Sequence, residues 1–143
     1  MLTNPFTIYE ERRVRTRPGG FDEYLSLVKE YIWPEITKAG GQALVLLNGL
    51  IGDPIEETLL ITGFTDVDKW RAAQEIMTIQ TEGNADAAQR RADVLLEESV
   101  GLMAPSPYRP YAEPLPENRR SVYGARRFTI DPADLDDFEK FSY

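Results

Sequence analysis

The 143-residue sequence contains no cysteine and no histidine. Without cysteine the chain has no disulfide, no thiolate nucleophile and no thiolate ligand for zinc or an iron–sulfur cluster, which fits a reducing compartment. Without histidine it lacks the side chain that most often serves as general base, zinc ligand or haem ligand. Chemistry near neutral pH would therefore need a carboxylate, tyrosine or lysine with a shifted pKa, or a cofactor.

The chain also lacks an excess of positive charge and a long apolar run. It has 24 Asp and Glu against 16 Lys and Arg, which gives a net charge of −8. Because this charge repels the phosphates of nucleic acids and anionic membranes, we expect no nucleic-acid partner and no membrane partner. No apolar run approaches the roughly 18 residues of a membrane span, and residues 1–6 contain no signal-peptide core. These features predict a cytoplasmic protein.

The beginning of the chain is repeated near its end. Residues 8–27 align with residues 122–141 at a constant offset of 114, without a gap. The identical pairs are Tyr9 and Tyr123, Arg12 and Arg126, Arg13 and Arg127, Pro18 and Pro132, and Asp22 and Asp136. Each copy has the pattern of a strand, a turn and a helix start. Such self-similarity indicates a duplicated unit whose second copy stops after its first helical turns.

Proline divides the chain into regions. Five of the ten prolines lie between residues 104 and 118. Each of them removes a backbone donor and disfavours helix at the residue before it, so this stretch is expected to be extended. We predict a folded domain over residues 1–104, a proline-rich extended connector over 105–120, and a second partial repeat over 121–143, a strand and a helix start packed on the same or a partner subunit.

The hydrophobic pattern predicts four strands and two helices in the order strand, helix, strand, strand, helix, strand. This order is the split βαβ, or ferredoxin-like, plan of an α+β protein. The strands are expected at residues 6–17, 43–47, 58–64 and 99–103.

The two predicted helices have recognisable starts and interruptions. The first begins at Phe21 after a Pro-Gly-Gly turn, and Pro34 should kink or break it. The second is expected to follow Thr65, which together with Asp68 matches a capping box, and to have Val67 on its apolar face. It is interrupted at Gly83-Asn84 and is expected to continue through Leu96.

The two middle strands are apolar on both faces. A ferredoxin-like sheet covers one face with its helices and leaves the other face bare. Burying a side chain such as Leu or Ile stabilises a protein by about 1.5–3 kcal/mol, so a bare apolar face should be covered. A second sheet packed on it, which closes a two-fold barrel, is the simplest solution. We therefore expect a homodimer or a higher homo-oligomer.

The first strand and its turn resemble a known family. The segment from Tyr9 to Gly19 is similar to the opening signature of NIPSNAP-like proteins, within the dimeric α/β-barrel superfamily, and the matching positions are Tyr9, Glu10, Arg12, Pro18 and Gly19. Further similar positions are Pro34, Gly41, Leu102, Met103, Pro105, Ser106, Pro107 and Tyr108. The resemblance covers roughly residues 6–110. The chain departs from the family by ending early in its second copy and by having Ala39 where relatives often carry histidine.

The resemblance implies a ferredoxin-like protomer that pairs through its sheet around an interior cavity for a small organic molecule. The superfamily includes cofactor-independent monooxygenases, isomerases, lyases and haem-degrading enzymes, and the fold alone does not choose among them. A haem-degrading enzyme with an axial histidine is disfavoured because the chain has no histidine. The acidic stretch 131–139 lacks the ligand spacing of a calcium loop. We therefore expect no cofactor and no metal.

The first strand carries the candidate catalytic residues. Its alternation places Tyr9 and Arg13 on one face and Glu10 and Arg12 on the other, so each face carries charge. A desolvated Glu10 is a candidate acid or base, and Arg12 and Arg13 are candidate groups for stabilising an anion. The alternative is that these charges form cross-strand ion pairs or lie at a wet sheet edge.

Further residues are candidates for binding a substrate. Trp33 and Trp70, with Tyr24 and Tyr31, either form an aromatic wall for a planar ligand or belong to the core. The other candidates are Tyr9, Asn48 and Thr62, of which the last two interrupt or adjoin apolar strands. Two functions stay open. One is a cofactor-independent enzyme acting on a small aromatic or polyketide-like molecule in biosynthesis, and the other is a non-catalytic ligand-binding or assembly module of the same fold.

Overall fold

A computed structural model of the chain describes residues 3–109 and 111–142, with the backbone alone over residues 79–82. The ends of the first and third predicted regions, and Pro110 of the predicted connector, lie outside the described residues. The chain divides into two compact units. The larger is Pro5–Pro105, and the smaller contains Met1–Asn4 and Ser106–Tyr143.

The larger unit is built on a four-stranded antiparallel sheet. Its strands are β1 Ile8–Thr16, β2 Gln42–Asn48, β3 Glu57–Phe64 and β4 Leu95–Met103. The spatial order is β2-β3-β1-β4, so the first strand lies in the middle and β2 and β4 form the edges. This arrangement confirms the predicted α+β, ferredoxin-like class.

Helices precede β2 and β4 in the larger unit, and one more lies in the smaller unit. Their bounds are α1 Phe21–Leu27, α2 Trp33–Lys38, α3 Val67–Glu82, α4 Ala85–Val94 and α5 Leu135–Phe141. Short 3-10 turns span Pro116–Asn118 and Pro132–Asp134. No described helix has both the length and the apolar content that crossing a membrane requires.

The first predicted helix changes form just before Pro34. A wide π-helical turn, Val28–Ile32, joins α1 to α2. Proline cannot donate to the carbonyl four residues earlier, and its ring would clash with that carbonyl, so a wider turn at this point accommodates it. The helix then ends near Gly40, whose φ of 85° suits glycine.

Two predictions for the second helical region were wrong. The side chain that caps α3 is that of Asp66, whose Oδ1 accepts a hydrogen bond from the Lys69 amide at 2.9 Å, and not the expected Thr65. Helix also ends earlier than Leu96, because α4 stops at Val94 and Leu95 already has extended backbone angles. Pairing with β1 explains the change, since β4 begins its ladder at Leu95 and cross-strand hydrogen bonds override the helical pattern.

Burial alternates along the central strands and defines two sheet faces. On the helix face, Val14 of β1 and Phe64 of β3 pack with Val28 and Ile36 of the first helical segment. Gly41 is pressed against this core, since a Cβ there would lie 2.5 Å from the Phe64 ring. We call the opposite side the open face; its half-buried apolar side chains are Val45, Leu47, Leu59 and Ile61.

The smaller unit does not contain the strand that the repeat predicted. Within the described tail, residues 121–131 form no strand. A strand is stable only when its backbone groups pair with a neighbour, and the described part of this unit offers no second strand. The helical half of the repeat is present, because α5 begins at Leu135, 114 positions after the start of α1 at Phe21.

Candidate functional site

A buried ion pair lies on the helix face of β1. Glu10 and Arg12 are two residues apart in the strand, so their side chains project to the same face. Only 1% of Glu10 and 9% of Arg12 is exposed. Arg12 Nε donates a hydrogen bond to Glu10 Oε1 at 2.9 Å. The structure therefore brings these two predicted site residues together beneath the helices.

Helix α3 supplies two further partners to the Glu10 carboxylate. Trp70 Nε1 donates to Glu10 Oε2 at 2.6 Å, and Gln74 Nε2 donates to the same oxygen at 2.5 Å. Trp70 and Gln74 are four residues apart and so lie on one side of the helix. Three donors, counting Arg12, thus occupy three of the roughly four lone pairs of this carboxylate.

The remaining donors of Arg12 extend the network to β4. Nη1 donates to Glu98 Oε1 at 2.5 Å, and Nη2 donates to Gln74 Oε1 at 2.7 Å. Glu98 also accepts a hydrogen bond from Arg91. Burial alone would lower the pKa of Arg12, but the charges of Glu10 and Glu98 outweigh it and raise the pKa. The two arginines and two glutamates balance, so this network carries no net charge. We call it the Glu10–Arg12 network.

Buried polar atoms without hydrogen-bond partners lie among the same packed layers. They are the Tyr24 hydroxyl, Trp33 Nε1 and the hydroxyls of Thr58 and Thr62. Thr62 is the cross-strand partner of Glu10, and Trp33 packs against the buried cluster that contains Tyr24. Buried polar side-chain atoms in proteins are nearly always hydrogen-bonded. Each of these atoms therefore keeps unused hydrogen-bonding capacity inside the core.

Tyr24 lies within the electrostatic reach of the Glu10–Arg12 network. Burial raises the pKa of its hydroxyl, and the charges of Arg12 and Glu98 act on it in opposite directions. The phenol is therefore protonated at neutral pH and can donate a hydrogen bond. We call Tyr24, Trp33 and Thr62 the orphan cluster.

Three predicted site residues lie apart from this network. Arg13 Nε donates to Glu11 Oε1 at 2.7 Å and Nη1 to Glu57 Oε1 at 2.5 Å, on the open face. These hydrogen bonds, that to Glu11 above all, raise the pKa of Arg13. Tyr9 is on the same face, where its ring meets that of Phe6 edge-on at 5.9 Å. Asn48 is exposed at the end of β2.

Sequence reasoning missed Gln74, Arg91 and Glu98, which complete the network. Of the three, only Gln74 has a sequence signal, which is its spacing of one helical turn after Trp70. Glu98 faces Arg12 only through the β1–β4 ladder, in which Val14 pairs with Glu98. In the described parts of the chain, no group of acidic side chains has the arrangement of a metal site.

Solved structures of similar architecture were found for the larger part of the chain. A NIPSNAP family protein of Agrobacterium tumefaciens, Atu5224, is 21% identical with a TM-score of 0.60, over 74% of this chain and 99% of its own. Protein Atu4242 of the same organism is 20% identical with a TM-score of 0.60, over 73% of this chain and 99% of its own. The chain has the fold of NIPSNAP proteins.

A third similar structure is a NIPSNAP-like domain protein from Burkholderia xenovorans. It is 18% identical with a TM-score of 0.58, over 80% of this chain and 100% of its own. No protein-family model and no curated protein matches the sequence. The resemblance seen in the first strand is thus confirmed as a NIPSNAP fold, and at these identities the likeness concerns the fold alone.

The Glu10–Arg12 network predicts unequal effects of two matched substitutions. Glu10→Gln replaces an acceptor oxygen by an N–H₂ group that faces hydrogen-bond donors, and it removes the negative charge beside Arg12. We therefore expect a loss of about 3–5 kcal/mol in the free energy of unfolding. Glu11→Gln, next along β1 and paired with Arg13 at a partly solvated site, should cost about 1 kcal/mol or less. Urea unfolding of both variants measures the difference. Equal losses would contradict the assignment of Glu10 as the buried centre of the network.

Proposed function

We propose that this protein binds a small neutral organic molecule between its sheet and its helices, with a hydrogen-bond acceptor of the ligand at the orphan cluster. The observation that carries the proposal is the buried Tyr24 hydroxyl, which has no hydrogen-bond partner although it lies near a charged network. An unmade hydrogen bond of this kind costs about 1–3 kcal/mol. A ligand that supplied the missing partner would recover that energy on binding.

The chemistry of the surrounding groups sets the class of ligand. Trp33 Nε1 can only donate a hydrogen bond, and the protonated Tyr24 phenol can donate one, so the ligand should offer acceptor atoms such as carbonyl oxygens. The Glu10–Arg12 network is internally neutral, so it gives no net attraction for an ionised ligand. Tyr24 belongs to the same buried cluster as the apolar side chains of Val28 and Ile32. A planar, largely apolar carbonyl compound fits these features.

A binding role is better supported than a reaction with Glu10 as the base. The predicted cofactor-independent enzyme needs a Glu10 oxygen that can take a proton from a substrate. In this structure Arg12, Trp70 and Gln74 already donate to that carboxylate. One of its roughly four lone pairs is left for a substrate proton, inside a buried network whose charges cancel. The enzyme function and its independence of cofactors therefore stay predictions from the sequence.

We also propose that two copies pair through their open faces. Leu59 and Ile61 of β3 and Val45 of β2 are half-exposed there, and a ferredoxin-like sheet has helices only on its other side. The charge of Arg13 on this face is compensated by Glu11 and Glu57. A second sheet would cover the apolar side chains without leaving an unpaired charge.

The ligand proposal predicts a specific effect of Tyr24→Phe. Titration with 1,4-naphthoquinone, a neutral planar dicarbonyl, should quench the fluorescence of Trp33 and Trp70 saturably. Loss of one hydrogen bond, about 0.5–1.5 kcal/mol, should weaken this binding by about 2- to 12-fold. The free energy of unfolding should not fall, because the removed hydroxyl has no partner to lose.

The matched control is Tyr108→Phe, which removes a partly exposed phenol of the smaller unit. It should bind 1,4-naphthoquinone as the wild type does. The ionised compound 1-naphthoate should bind more weakly than the quinone. Identical affinity in the wild type and Tyr24→Phe, or no saturable quenching in either, would refute the proposal.

The pairing proposal predicts the effect of a charge on the open face. The wild type should have twice the 16.3 kDa chain mass by light scattering. Leu59→Asp should weaken the pairing and lower the average mass at micromolar concentration, because pairing of the open faces would bury an unpaired carboxylate. Val67→Asp, the same type of change at the exposed start of α3, should leave the mass unchanged. A monomeric wild type at micromolar concentration would contradict the pairing.

A further inference from the structure

The strand β4 presents a long exposed edge. It is hydrogen-bonded to β1 on one side and is the last strand of the sheet on the other. Residues 96–102 are all exposed, among them Leu96, Val100 and Leu102. Proteins usually shorten, charge or cover such edges, because unpaired backbone groups recruit other strands. An edge of seven exposed residues that includes Leu96, Val100 and Leu102 therefore calls for a covering element.

The tail contains a copy of the element that already pairs with β4. Residues 122–130 are the counterpart of β1 at the offset of 114, and α5 is the counterpart of α1. Phe128 is 60% exposed, whereas its counterpart in the sheet, Val14, is 1% exposed. The tail thus has the sequence of a strand and helix unit without the sheet that such a unit joins.

Charge selects β4 over the other edge of the sheet. In the first copy, Arg12 pairs with Glu98 and Arg15 pairs with Glu97, both on β4. Arg126 is the counterpart of Arg12, and the tail also carries Arg119 and Arg120 just before the repeated segment. The other edge strand, β2, has no charged residue between Gln42 and Asn48. Glu98 is already compensated within the Glu10–Arg12 network, but the Glu97 side chain is 72% exposed, so a basic segment finds an accessible carboxylate on β4 and none on β2.

We propose that residues 122–130 of one molecule add to β4 of a second copy of this chain as a fifth strand. Val100 and Leu102 pair with Arg12 and Glu10 in the ladder, so they lie on the helix face. The added unit would place α5 over that face, as α1 covers it beside the first copy of the strand. The apolar side chains of α5, such as Leu135 and Phe138, would then cover the exposed leucine and valine of β4.

The length of the connector favours a second molecule over the same chain. If the tail strand paired with β4 of its own chain, a hairpin loop of only 2–5 residues would be enough to connect them. The 18 residues from 104 to 121, rich in proline, span about 55 Å when extended, against about 30 Å for a nine-residue strand. Such an arm suits an exchange between two molecules, and a reciprocal exchange closes with two-fold symmetry. This inference does not depend on the proposed ligand.

The absence of cysteine from the sequence allows a direct cross-linking test. Two full-length variants, Ser99→Cys in β4 and Ala125→Cys in the tail, are mixed and treated with a short bismaleimide. A purification tag on one variant distinguishes the heterodimer by mass. We expect at least 5-fold more heterodimer than from Ser99→Cys mixed with Thr78→Cys, a control on the exposed side of α3. Adding Thr129→Pro to the tail variant should return the yield to the control level, since proline disrupts ladder pairing.

A chain carrying both Ser99→Cys and Ala125→Cys distinguishes a contact within one molecule from a contact between two molecules. If this double variant, diluted until intermolecular contacts are lost, still gives a cross-linked monomer, the tail docks on its own sheet and the proposal is overturned. A heterodimer yield equal to the Thr78→Cys control also overturns it. Circular dichroism of Thr129→Pro should match the wild type, so that a low yield reports pairing and not unfolding.

Discussion

The structure depends on one buried ion pair, that of Glu10 and Arg12 in the central strand. Removing two opposite charges from water is costly unless further hydrogen bonds satisfy them. Here those bonds come from Trp70 and Gln74 on α3 and from Glu98 on β4. The same contacts that make the pair tolerable therefore also fix where α3 and β4 lie on β1. Packing around Phe64 stabilises the domain, and the polar network specifies the arrangement of the layers.

This constraint also determines what the site can do. A network whose charges cancel has no net attraction for an anion, and its carboxylate already accepts three hydrogen bonds. The groups with unused hydrogen-bonding capacity are the neutral side chains of the orphan cluster, above all Tyr24. The chemistry available to a bound molecule is therefore donation of a hydrogen bond in an apolar, electrostatically balanced layer. The proposal of a neutral acceptor as ligand rests on this chemistry.

The sequence predicted the order of elements and the separation of Glu10 and Arg12 from Arg13, because strand alternation follows directly from backbone geometry. It did not predict which face lies under the helices, since both faces of β1 carry charge. Gln74 and Glu98 were missed because their contacts join residues far apart in the chain. The hydrophobic pattern predicted helix at Leu95 and Leu96, because local periodicity contains no information about the pairing of β4 with β1.

The tail also shows that a local sequence pattern does not determine whether a strand forms. Its likeness to β1 predicted a strand, and the described tail forms no strand there. Strand formation requires a partner edge, which a local pattern does not supply. The helix of the same repeat needs only its own hydrogen bonds, and α5 begins at the predicted position.

The central claim is that the Glu10-centred network satisfies its buried charges, whereas the neutral groups of the orphan cluster keep unused hydrogen-bonding capacity inside the core. The two tryptophans test it directly, because Trp70 Nε1 belongs to the network and Trp33 Nε1 to the orphan cluster. In a ¹H–¹⁵N spectrum, the account predicts that the Trp70 indole proton is shifted downfield and exchanges slowly with solvent. The Trp33 indole proton should lie upfield of it and move when 1,4-naphthoquinone is added. Two indole protons with the same shift and the same exchange rate, neither responding to the quinone, would contradict the account.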